Sequence, residues 1–347
     1  MLSKLAKSSL EKQQYRIVGS HSAVKVCGWT KNMIRGVGGC YKLTFYGIMS
    51  NQCLQMTTSI SCANRCTFCW RDYKAPVSKK WEWDVDDPDK IFDESVEAHH
   101  KLLIGFNGSK KFNKGAFENS KRVKHVALSL TGEPIIYPKM NELIKRFNKE
   151  GVSTFMVTNG QYPRQIKDLA PVTQLYISVD APNKKILKEV DKPLFTDYWE
   201  RLLESLDYLK QKKQRTCIRL TMIHKVNMTD LDGYKMLIER GDPDFIEVKA
   251  YMWVGASQSR LKEENMPYHA DIESFTKELI KVLSEYEIVS EHVPSRVVLL
   301  AKKTFNVNEK WHTWIDFNKY HELVMGGNEV RTKDYVKVTP VGNILKP

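Results

Sequence analysis

Residues 61–71 read SCANRCTFCWR and contain three of the seven cysteines of the chain. Cys62, Cys66 and Cys69 follow the spacing CxxxCxxC, with Phe68 directly before the last cysteine. Three thiolates at this spacing can ligate one iron–sulfur cluster and leave one iron without a protein ligand. A structural zinc site is the alternative, but zinc prefers four protein ligands in paired knuckles, and no fourth cysteine or nearby histidine completes such a set. The motif therefore predicts a cluster whose open iron can bind a small molecule.

A second group of cysteines precedes this motif. Cys27, Cys40 and Cys53 are evenly spaced, with twelve residues between neighbours, in a glycine-rich segment that fits no zinc-finger pattern. Three cysteines again suggest a cluster with an open iron; free thiols, or one disulfide and one thiol, are the alternatives. Cys217 lies within an apolar run and is interpreted as a small core residue.

The positive charge of the chain is concentrated in blocks. The formal net charge is +13, and residues 12–71 contain eight Lys or Arg and no acidic residue. Residues 101–124 contain seven Lys or Arg and a single acid, Glu118. A solvated surface would mix the signs, so these blocks indicate a polyanionic partner, although any single lysine could serve only solubility.

Length and composition limit the class of protein. A chain of 347 residues with 42% hydrophobic residues can bury one large domain with extensions, or two domains. No run of eighteen apolar residues occurs, and the N-terminus lacks the apolar segment of a signal peptide, so we expect a cytoplasmic protein with no membrane association. In that compartment, seven cysteines favour metal binding or catalysis over disulfides.

From residue 54 onward, apolar strands alternate with amphipathic helices. The predicted strands cover residues 54–60, 123–130, 153–158, 175–179, 217–223 and 245–250, and the predicted helices cover residues 90–104, 140–150, 165–169, 198–212, 230–240 and 272–286. Near-continuous apolar strands in β-α units are typical of a parallel sheet that is buried on both faces. The pattern predicts an α/β fold with a partial (β/α)6 TIM-like barrel, and a doubly wound open sheet is the alternative.

The segments on either side of this pattern are less regular. Residues 1–53 are interpreted as an irregular cap held together by metal, residues 54–290 as the barrel, and residues 291–347 as a C-terminal extension with one strand at 296–302. Residues 106–122 are polar and basic, which predicts an inserted surface loop.

Polar residues follow the predicted strands, where barrels of this type place their sites. After the second strand, Gly132 would let the backbone approach a ligand closely, and Glu133 could accept hydrogen bonds from an ammonium group. Three further polar side chains follow the third and fourth strands, namely Asn159, Ser178 and Asp180. They could bind hydroxyl or carboxylate groups, or serve as helix caps and turn residues. Two cations on later strands, Arg219 and Lys249, could face a carboxylate or belong to structural ion pairs.

The runs CYKLTFYGIMSNQCLQM and CANRCTFCWR resemble those of the radical S-adenosylmethionine (SAM) tRNA 4-demethylwyosine synthases, in the single-domain form found in archaea. The resemblance extends to the segment EVKAYMWVGASQSRL and so covers the cap and the barrel. It implies a partial radical SAM barrel with an N-terminal cluster-binding cap. It further implies two 4Fe-4S clusters, SAM as cofactor and pyruvate as co-substrate.

The resemblance also implies roles for individual residues. Cys62, Cys66 and Cys69 would bind the cluster that holds SAM, and Cys27, Cys40 and Cys53 would bind the second cluster. The segment Gly132-Glu133-Pro134 resembles the GGEP segment that holds the amino group of SAM, with Thr131 in place of its first glycine. The polar residues Asn159, Ser178, Asp180 and Lys249 would complete the cofactor site. Lys42 matches the lysine proposed to form a Schiff base with pyruvate, and the open iron of the second cluster is an alternative anchor.

The implied reaction converts N1-methylguanosine, next to the anticodon of phenylalanine tRNA, into the tricyclic base 4-demethylwyosine through a 5′-deoxyadenosyl radical. The partners would be the anticodon stem-loop and a flavodoxin- or ferredoxin-like electron donor, and the protein would be a monomer. The candidate phosphate contacts are Lys110, Lys111, Lys114, Lys121, Arg122 and Lys124. The competing interpretations are another radical SAM enzyme with an auxiliary cluster that modifies a peptide or another substrate, and a zinc-bound RNA-binding module.

Overall fold

A computed structural model describes residues 4–108 and 112–345. Within these ranges, one large sheet has the strand order β1-β2-β3-β4-β5-β6-β7-β8-β10-β9. Its strands are β1 (Arg16–Val18), β2 (Ser22–Val24), β3 (Cys53–Thr57), β4 (His125–Leu128), β5 (Ser153–Thr158), β6 (Gln174–Ser178), β7 (Arg215–Met222), β8 (Phe245–Ala250), β9 (Tyr286–His292) and β10 (Val297–Lys302). Short two-stranded ribbons are formed by β11 (Asn306–Val307) with β12 (Lys310–Trp311) and by β13 (Trp314–Ile315) with β14 (Val336–Lys337).

Helices pack against both faces of the sheet. They are α1 (Lys4–Lys12), α2 (Gly28–Ile34), α3 (Tyr41–Tyr46), α4 (Pro88–Leu103), α5 (Lys114–Ser120), α6 (Met140–Lys149), α7 (Pro163–Lys167), α8 (Lys184–Asp191), α9 (Tyr198–Gln211), α10 (Leu231–Gly241), α11 (His269–Val282) and α12 (Phe317–Met325). Among these described helices, none is both long and apolar enough to cross a membrane.

The central strands confirm the predicted barrel. Strands β3 to β8 are all parallel to their neighbours and stand in the same order in the sheet as in the sequence. In a doubly wound sheet the order of the strands reverses at a switch point. The sequential order of β3 to β8 therefore excludes that alternative. Antiparallel strands extend both edges, where β2 pairs with β3 and β10 pairs with β8.

The alternation of side chains along the parallel strands creates two cores. One set, including Leu175 and Ile177 of β6, packs outward under the helices. The other set, including Tyr176, faces the barrel interior. This interior is filled by Tyr41 and Phe45 of α3 and by aromatic residues of the C-terminal segment. The short helix α3 therefore belongs to the core of the barrel.

Several local expectations are corrected by the structure. The N-terminal segment is not irregular, because β1 and β2 join the main sheet and α2 and α3 are regular helices. The expected surface loop at 106–122 contains helix α5. Helix α8 and strand β9 were not predicted, and β9 occupies the region where the helix of residues 272–286 was expected to end. The C-terminal segment adds helix α12 to the expected strand.

Candidate cluster and substrate site

The loop of Cys62, Cys66 and Cys69 follows β3 and is held by backbone contacts. The amide of Ser78 donates to the carbonyl of Cys62 at 3.3 Å, and the amide of Cys69 donates to that of Cys66 at 3.2 Å. The amide of Thr67 donates to the carbonyl of Val190 in α8 at 2.8 Å. All three thiols are free and partly buried.

Two arginines fix the carbonyl groups of this loop. The buried guanidinium of Arg71 donates to the carbonyl of Ile60 at 3.0 Å and to that of Asn64 at 3.2 Å. Arg260, from the segment after β8, donates to the carbonyl of Thr67 at 3.0 Å and also to that of Cys69. Arg260 was not singled out from the sequence, because the contact joins residues 191 positions apart.

The environment of the loop fits a cluster held by thiolates. Burial raises the pKa of the Cys62 thiol to about 12 and that of the Cys66 thiol well above its usual value. Without metal these thiols stay protonated at neutral pH, and a bound metal would displace their protons. Two N–H groups already point at sulfur, since the backbone amide of Asn64 and the side-chain amide of Asn159 each lie 3.4 Å from Sγ of Cys62. Donors of this kind stabilise the sulfur ligands of a cluster.

The donor geometry also bears on the zinc alternative. Among residues 4–108 and 112–345, no three His, Cys, Asp or Glu side chains converge on a point that one metal ion could occupy. A cubane cluster binds each cysteine through a different iron, so its ligands do not need to converge on one point. The preference for a cluster over zinc therefore rests on the three cysteines of the loop and on the N–H groups directed at Cys62.

The segment after β4 packs directly against the cysteine loop. Gly132 has φ 67°, and a Cβ at this position would lie 1.9 Å from the carbonyl oxygen of Ser59. Only glycine permits this approach. The amide of Glu133 donates to the carbonyl of Ser61 at 2.8 Å, and Pro134 begins a short 3-10 helix. The expected cofactor segment and the cysteine loop are therefore in contact.

Glu133 is buried with one oxygen available. Its Oε2 accepts the amide of Asn159 at 3.0 Å, while Oε1 is buried and has no partner among the described residues. Burial raises the pKa of Glu133 to about 7. An ammonium group brought to Oε1 would satisfy this oxygen and favour the ionised carboxylate.

The other predicted cofactor residues differ in their surroundings. Ser178 is partly buried at the end of β6. Asp180 is buried, accepts the amide of Thr221 at 3.2 Å, and has its pKa raised to about 6 by burial. Asp180 thus already has a structural role between β6 and β7. Lys249 donates to the carbonyl of Ser295 at 3.0 Å, and burial, followed by the charge of Arg219, lowers its pKa to about 8.

The structure also brings the second group of cysteines together. Cys27 is the N-cap of α2, Cys40 is the N-cap of α3, and Cys53 begins β3. Burial raises the pKa of Cys40 and of Cys53 to about 12, and in both cases the nearby Cys27 raises it further. The three free thiols therefore lie within electrostatic range of one another, as a shared cluster requires.

Lys42 reaches into the barrel from α3. Its Nζ lies 4.4 Å from the centre of the Tyr176 ring and 5.8 Å from that of Phe155. Among the described residues its ammonium group has no hydrogen-bond or ion-pair partner, and its charge also acts on the thiols of Cys40 and Cys53. Its position two residues after Cys40 places an amine beside the second cysteine group.

The candidate phosphate contacts lie partly outside the described residues. Lys110 and Lys111 fall in the undescribed segment, whereas Lys114, Lys121, Arg122 and Lys124 are exposed around α5. A salt bridge at 2.7 Å joins Lys121 to Glu118, which offsets part of this charge.

A second basic surface is formed by cations of the acid-free block at residues 12–71. A cleft of about 390 Å³ is lined by Arg16, Lys31, Arg35, Tyr15 and Phe106, among others. The guanidinium of Arg35 lies 5.5 Å from the centre of the Phe106 ring. Lys25 links Tyr15 to Trp70, which directly follows Cys69, with Nζ 4.7 Å and 5.9 Å from the two ring centres. The basic cleft therefore borders the cysteine loop.

Comparison with known proteins assigns both halves of the barrel. The Radical SAM superfamily profile matches residues 56–237, and a profile described as Wyosine base formation matches residues 240–302. The rice S-adenosyl-L-methionine-dependent tRNA 4-demethylwyosine synthase is 48% identical over 343 residues, which is 98% of this chain and 52% of the relative. The human protein of that name is 44% identical over 347 residues, 98% of this chain and 47% of the relative. The chain thus spans about half the length of the curated relatives it matches.

Solved structures give the same result over nearly their whole length. A structure described as TYW1 with a lysine-pyruvate adduct bound superposes with a TM-score of 0.79 at 38% identity, covering 89% of this chain and 99% of that chain. The crystal structure of archaeal TYW1 superposes with a TM-score of 0.73 at 34% identity and the same coverage.

Proposed function

The chain belongs to the radical SAM family of tRNA 4-demethylwyosine synthases, and on that premise we propose that it converts N1-methylguanosine in phenylalanine tRNA to 4-demethylwyosine with carbon supplied by pyruvate. The observation that carries the proposal is the position of Lys42, an amine held between aromatic rings in the barrel interior beside a second group of three cysteines.

The first part of the proposal is the cofactor site. Cys62, Cys66 and Cys69 would hold a 4Fe-4S cluster, and the free oxygen of Glu133 would accept the amino group of SAM. When bound, this cluster with SAM would supply one-electron chemistry for abstracting a hydrogen atom from the methyl group. Arg71 and Arg260 hold the loop rigid, and Asn159 directs an N–H group at a ligand sulfur.

The second part concerns pyruvate. The neutral amine of Lys42 would attack the C2 carbonyl of pyruvate, forming a carbon–nitrogen double bond as the carbonyl oxygen leaves as water. The rings of Tyr176 and Phe155 would exclude bulk water from this imine. Cys27, Cys40 and Cys53 would hold a second 4Fe-4S cluster, whose open iron is the alternative anchor for pyruvate.

The third part is the tRNA. An anticodon loop is bound through its phosphates and by stacking of its bases on aromatic rings. The cleft that borders the cysteine loop offers both, with Arg16, Lys31 and Arg35 beside Tyr15. The exposed cations around α5 would extend this surface. We also propose a monomer that works in the cytoplasm with a flavodoxin- or ferredoxin-like electron donor.

Anaerobic turnover tests the proposal as a whole. The reconstituted protein is incubated with tRNA that carries N1-methylguanosine, SAM, a reductant and pyruvate, and the tRNA nucleosides are analysed by mass spectrometry. We expect the tricyclic base only when every component is present, and none with Cys62→Ala. If a protein that holds about eight iron atoms per chain leaves the methylated tRNA unchanged, the proposed activity is wrong.

Variants of Lys42 distinguish the two proposed anchors of pyruvate, the imine and the open iron of the second cluster. We expect Lys42→Ala to bind SAM normally and to lose the tricyclic product, and Lys42→Arg not to restore it, because a guanidinium forms no imine under these conditions. Full turnover by Lys42→Ala would dismiss the imine and leave the second cluster as the anchor.

A further inference from the structure

Arg219 lies in the barrel interior opposite Glu247, whose two carboxylate oxygens already accept hydrogen bonds from other side chains. Arg219 on β7 and Glu247 on β8 are directly paired in the sheet register. Both oxygens of Glu247 accept hydrogen bonds from tyrosines of α3, with Tyr41 at 2.9 Å and Tyr46 at 3.0 Å. In the described part of the chain, no carboxylate lies within 4.0 Å of the guanidinium of Arg219. Arg219 therefore has no salt-bridge partner in this part of the chain; burial opposes its charge, but the nearby Tyr41, Glu247 and Asp180 raise its pKa.

Other cations share the same interior. Within the described ranges, Lys249 donates only to the carbonyl groups of Ser295 and Ala250, and Lys42 faces aromatic rings. Burial, followed by the charge of Glu247, raises the pKa of the Cys217 thiol, whereas the charges of Arg219 and Lys42 lower it, so this sulfur has both cations and one carboxylate as neighbours. These three partly buried cations outnumber Glu247 and Asp180, the two carboxylates that act on Arg219, so the interior favours an anion.

A second, independent observation points to a ligand at this place. The side chain of Tyr176 is fully buried, and its hydroxyl has no hydrogen-bond partner among the described residues. The Tyr176 ring is the one that faces Nζ of Lys42. Burial, followed by the nearby Glu247, raises the pKa of this hydroxyl, and Arg219 lowers it. Tyr176 is paired in the sheet with Cys217, which lies two residues before Arg219 on the same face of β7, so Arg219 is a near neighbour of Tyr176. A buried hydroxyl without a partner costs free energy unless a ligand accepts a hydrogen bond from it.

We propose that Arg219 and the hydroxyl of Tyr176 form a carboxylate subsite that holds the co-substrate 2-oxo acid with its carbonyl carbon toward Lys42. The inference rests on the proposed use of pyruvate, and it assigns Arg219 as the residue that selects an acid over a neutral ketone. Arg219 would pair with the carboxylate through two N–H groups, which fits a guanidinium better than an ammonium. The carboxylate of SAM has the same chemistry and is the other candidate ligand of this subsite.

Two binding measurements on the reconstituted holoprotein test the subsite. Equilibrium dialysis with radiolabelled pyruvate reports the carboxylate site, and borohydride reduction followed by mass spectrometry reports the imine on Lys42. For Arg219→Met we expect pyruvate binding to weaken about 10- to 100-fold, the value of a lost charge-assisted contact. Trapping of methyl pyruvate, which lacks the charge, should be unchanged. Arg331→Met, the same change at an exposed arginine, is the matched control.

The binding measurements distinguish the carboxylate of pyruvate from that of SAM as the group that Arg219 holds. Weaker SAM binding with unchanged pyruvate binding would assign Arg219 to the SAM carboxylate and overturn the proposal, as would no change in either. Tyr176→Phe keeps the ring and should weaken pyruvate binding by less than Arg219→Met, so the subsite stays testable if Arg219→Met folds poorly. If the wild-type protein binds pyruvate but borohydride traps no adduct on Lys42, the imine alone is refuted. Wild-type protein that binds no pyruvate would refute both.

Discussion

The hydroxyl of Tyr46 in α3 donates a hydrogen bond of 3.0 Å to the carboxylate of Glu247 in β8. Both residues are fully buried. With the parallel bond from Tyr41, this contact attaches a six-residue helix to the barrel wall. An isolated helix of this length would not be stable in water, so its position depends on such tertiary contacts. Because Lys42 lies in the same helix, the buried carboxylate also determines where the amine is held.

Removing one of these hydroxyls should cost stability. We expect Tyr46→Phe to lower the free energy of unfolding by about 1–3 kcal/mol, because one buried oxygen of Glu247 loses its donor. Urea denaturation of the wild type and the variant measures the difference. Tyr268→Phe, at an exposed tyrosine, should change stability by less than about 0.5 kcal/mol. Equal stability of Tyr46→Phe and the wild type would show that the contact contributes nothing.

The cofactor segment should tolerate no side chain at Gly132. We expect Gly132→Ala to destabilise the protein by more than about 3 kcal/mol, because its Cβ would meet the Ser59 carbonyl at 1.9 Å and displace the cysteine loop. Gly151→Ala is the matched control, since Gly151 also has φ 67° but no heavy atom within 4 Å of the added Cβ. The control should cost only the backbone strain, about 1 kcal/mol. Thermal unfolding that ranks the two equally would contradict the close approach.

Sequence periodicity predicted the parallel strands well, because strands such as Ser153–Thr158 and Phe245–Ala250 are short runs rich in aromatic, β-branched and other apolar residues. It missed β1 and β2, since three residues are too short to show a period. It extended a helix into β9, where the helix α11 and the strand are separated by only three residues.

The cysteine ligands could be found from local spacing, whereas their supports could not. Cys62, Cys66 and Cys69 lie within one loop, so the pattern is visible in the sequence. The contacts of Arg260 with this loop, and of Glu247 with α3, join residues about two hundred positions apart. Such pairs depend on the tertiary fold and leave no local pattern.

Arg260 should be needed to retain the first cluster. We expect Arg260→Met to fold but to hold less iron after anaerobic reconstitution, because the carbonyl groups of Thr67 and Cys69 lose their donor and the loop becomes mobile. Iron analysis and visible absorbance measure the loss. Arg240→Met removes an arginine that pairs with Asp207 on the outer helices and should keep the wild-type iron content. Similar iron content in both variants would dismiss the role of Arg260.

A buried histidine should make stability depend on pH. Burial, followed by His100, lowers the pKa of His99 to about 4, and neither ring nitrogen has a partner among the described residues. The unfolded chain binds a proton near pH 6.5 and the folded protein does not, so stability is present above pH 6.5 and is lost as the pH falls toward 4. From pH 7 to pH 5 this histidine should remove about 2 kcal/mol. Urea denaturation of His99→Leu should show a loss smaller by that amount, and an unchanged loss would exclude His99 as a cause.

The basic cleft beside the cysteine loop should dominate the salt dependence of tRNA binding. Arg16, Lys31 and Arg35 line the cleft with a single acid, Glu11, whereas Lys121 near α5 is paired with Glu118. Each cation that contacts a phosphate releases counterions, which contributes about 0.7 to 0.9 to the slope of log K against log salt.

Replacing the three cleft cations by glutamine should therefore reduce the slope of the tRNA affinity by about 2 to 3. Binding titrations of the anticodon stem-loop at several salt concentrations measure it. Lys277 and Lys281 of α11 are the matched control, since both are exposed lysines paired with glutamates, and their replacement should leave the slope unchanged. If the α5 cations Lys114, Arg122 and Lys124 lower the slope and the cleft variant does not, the tRNA approaches over α5 instead.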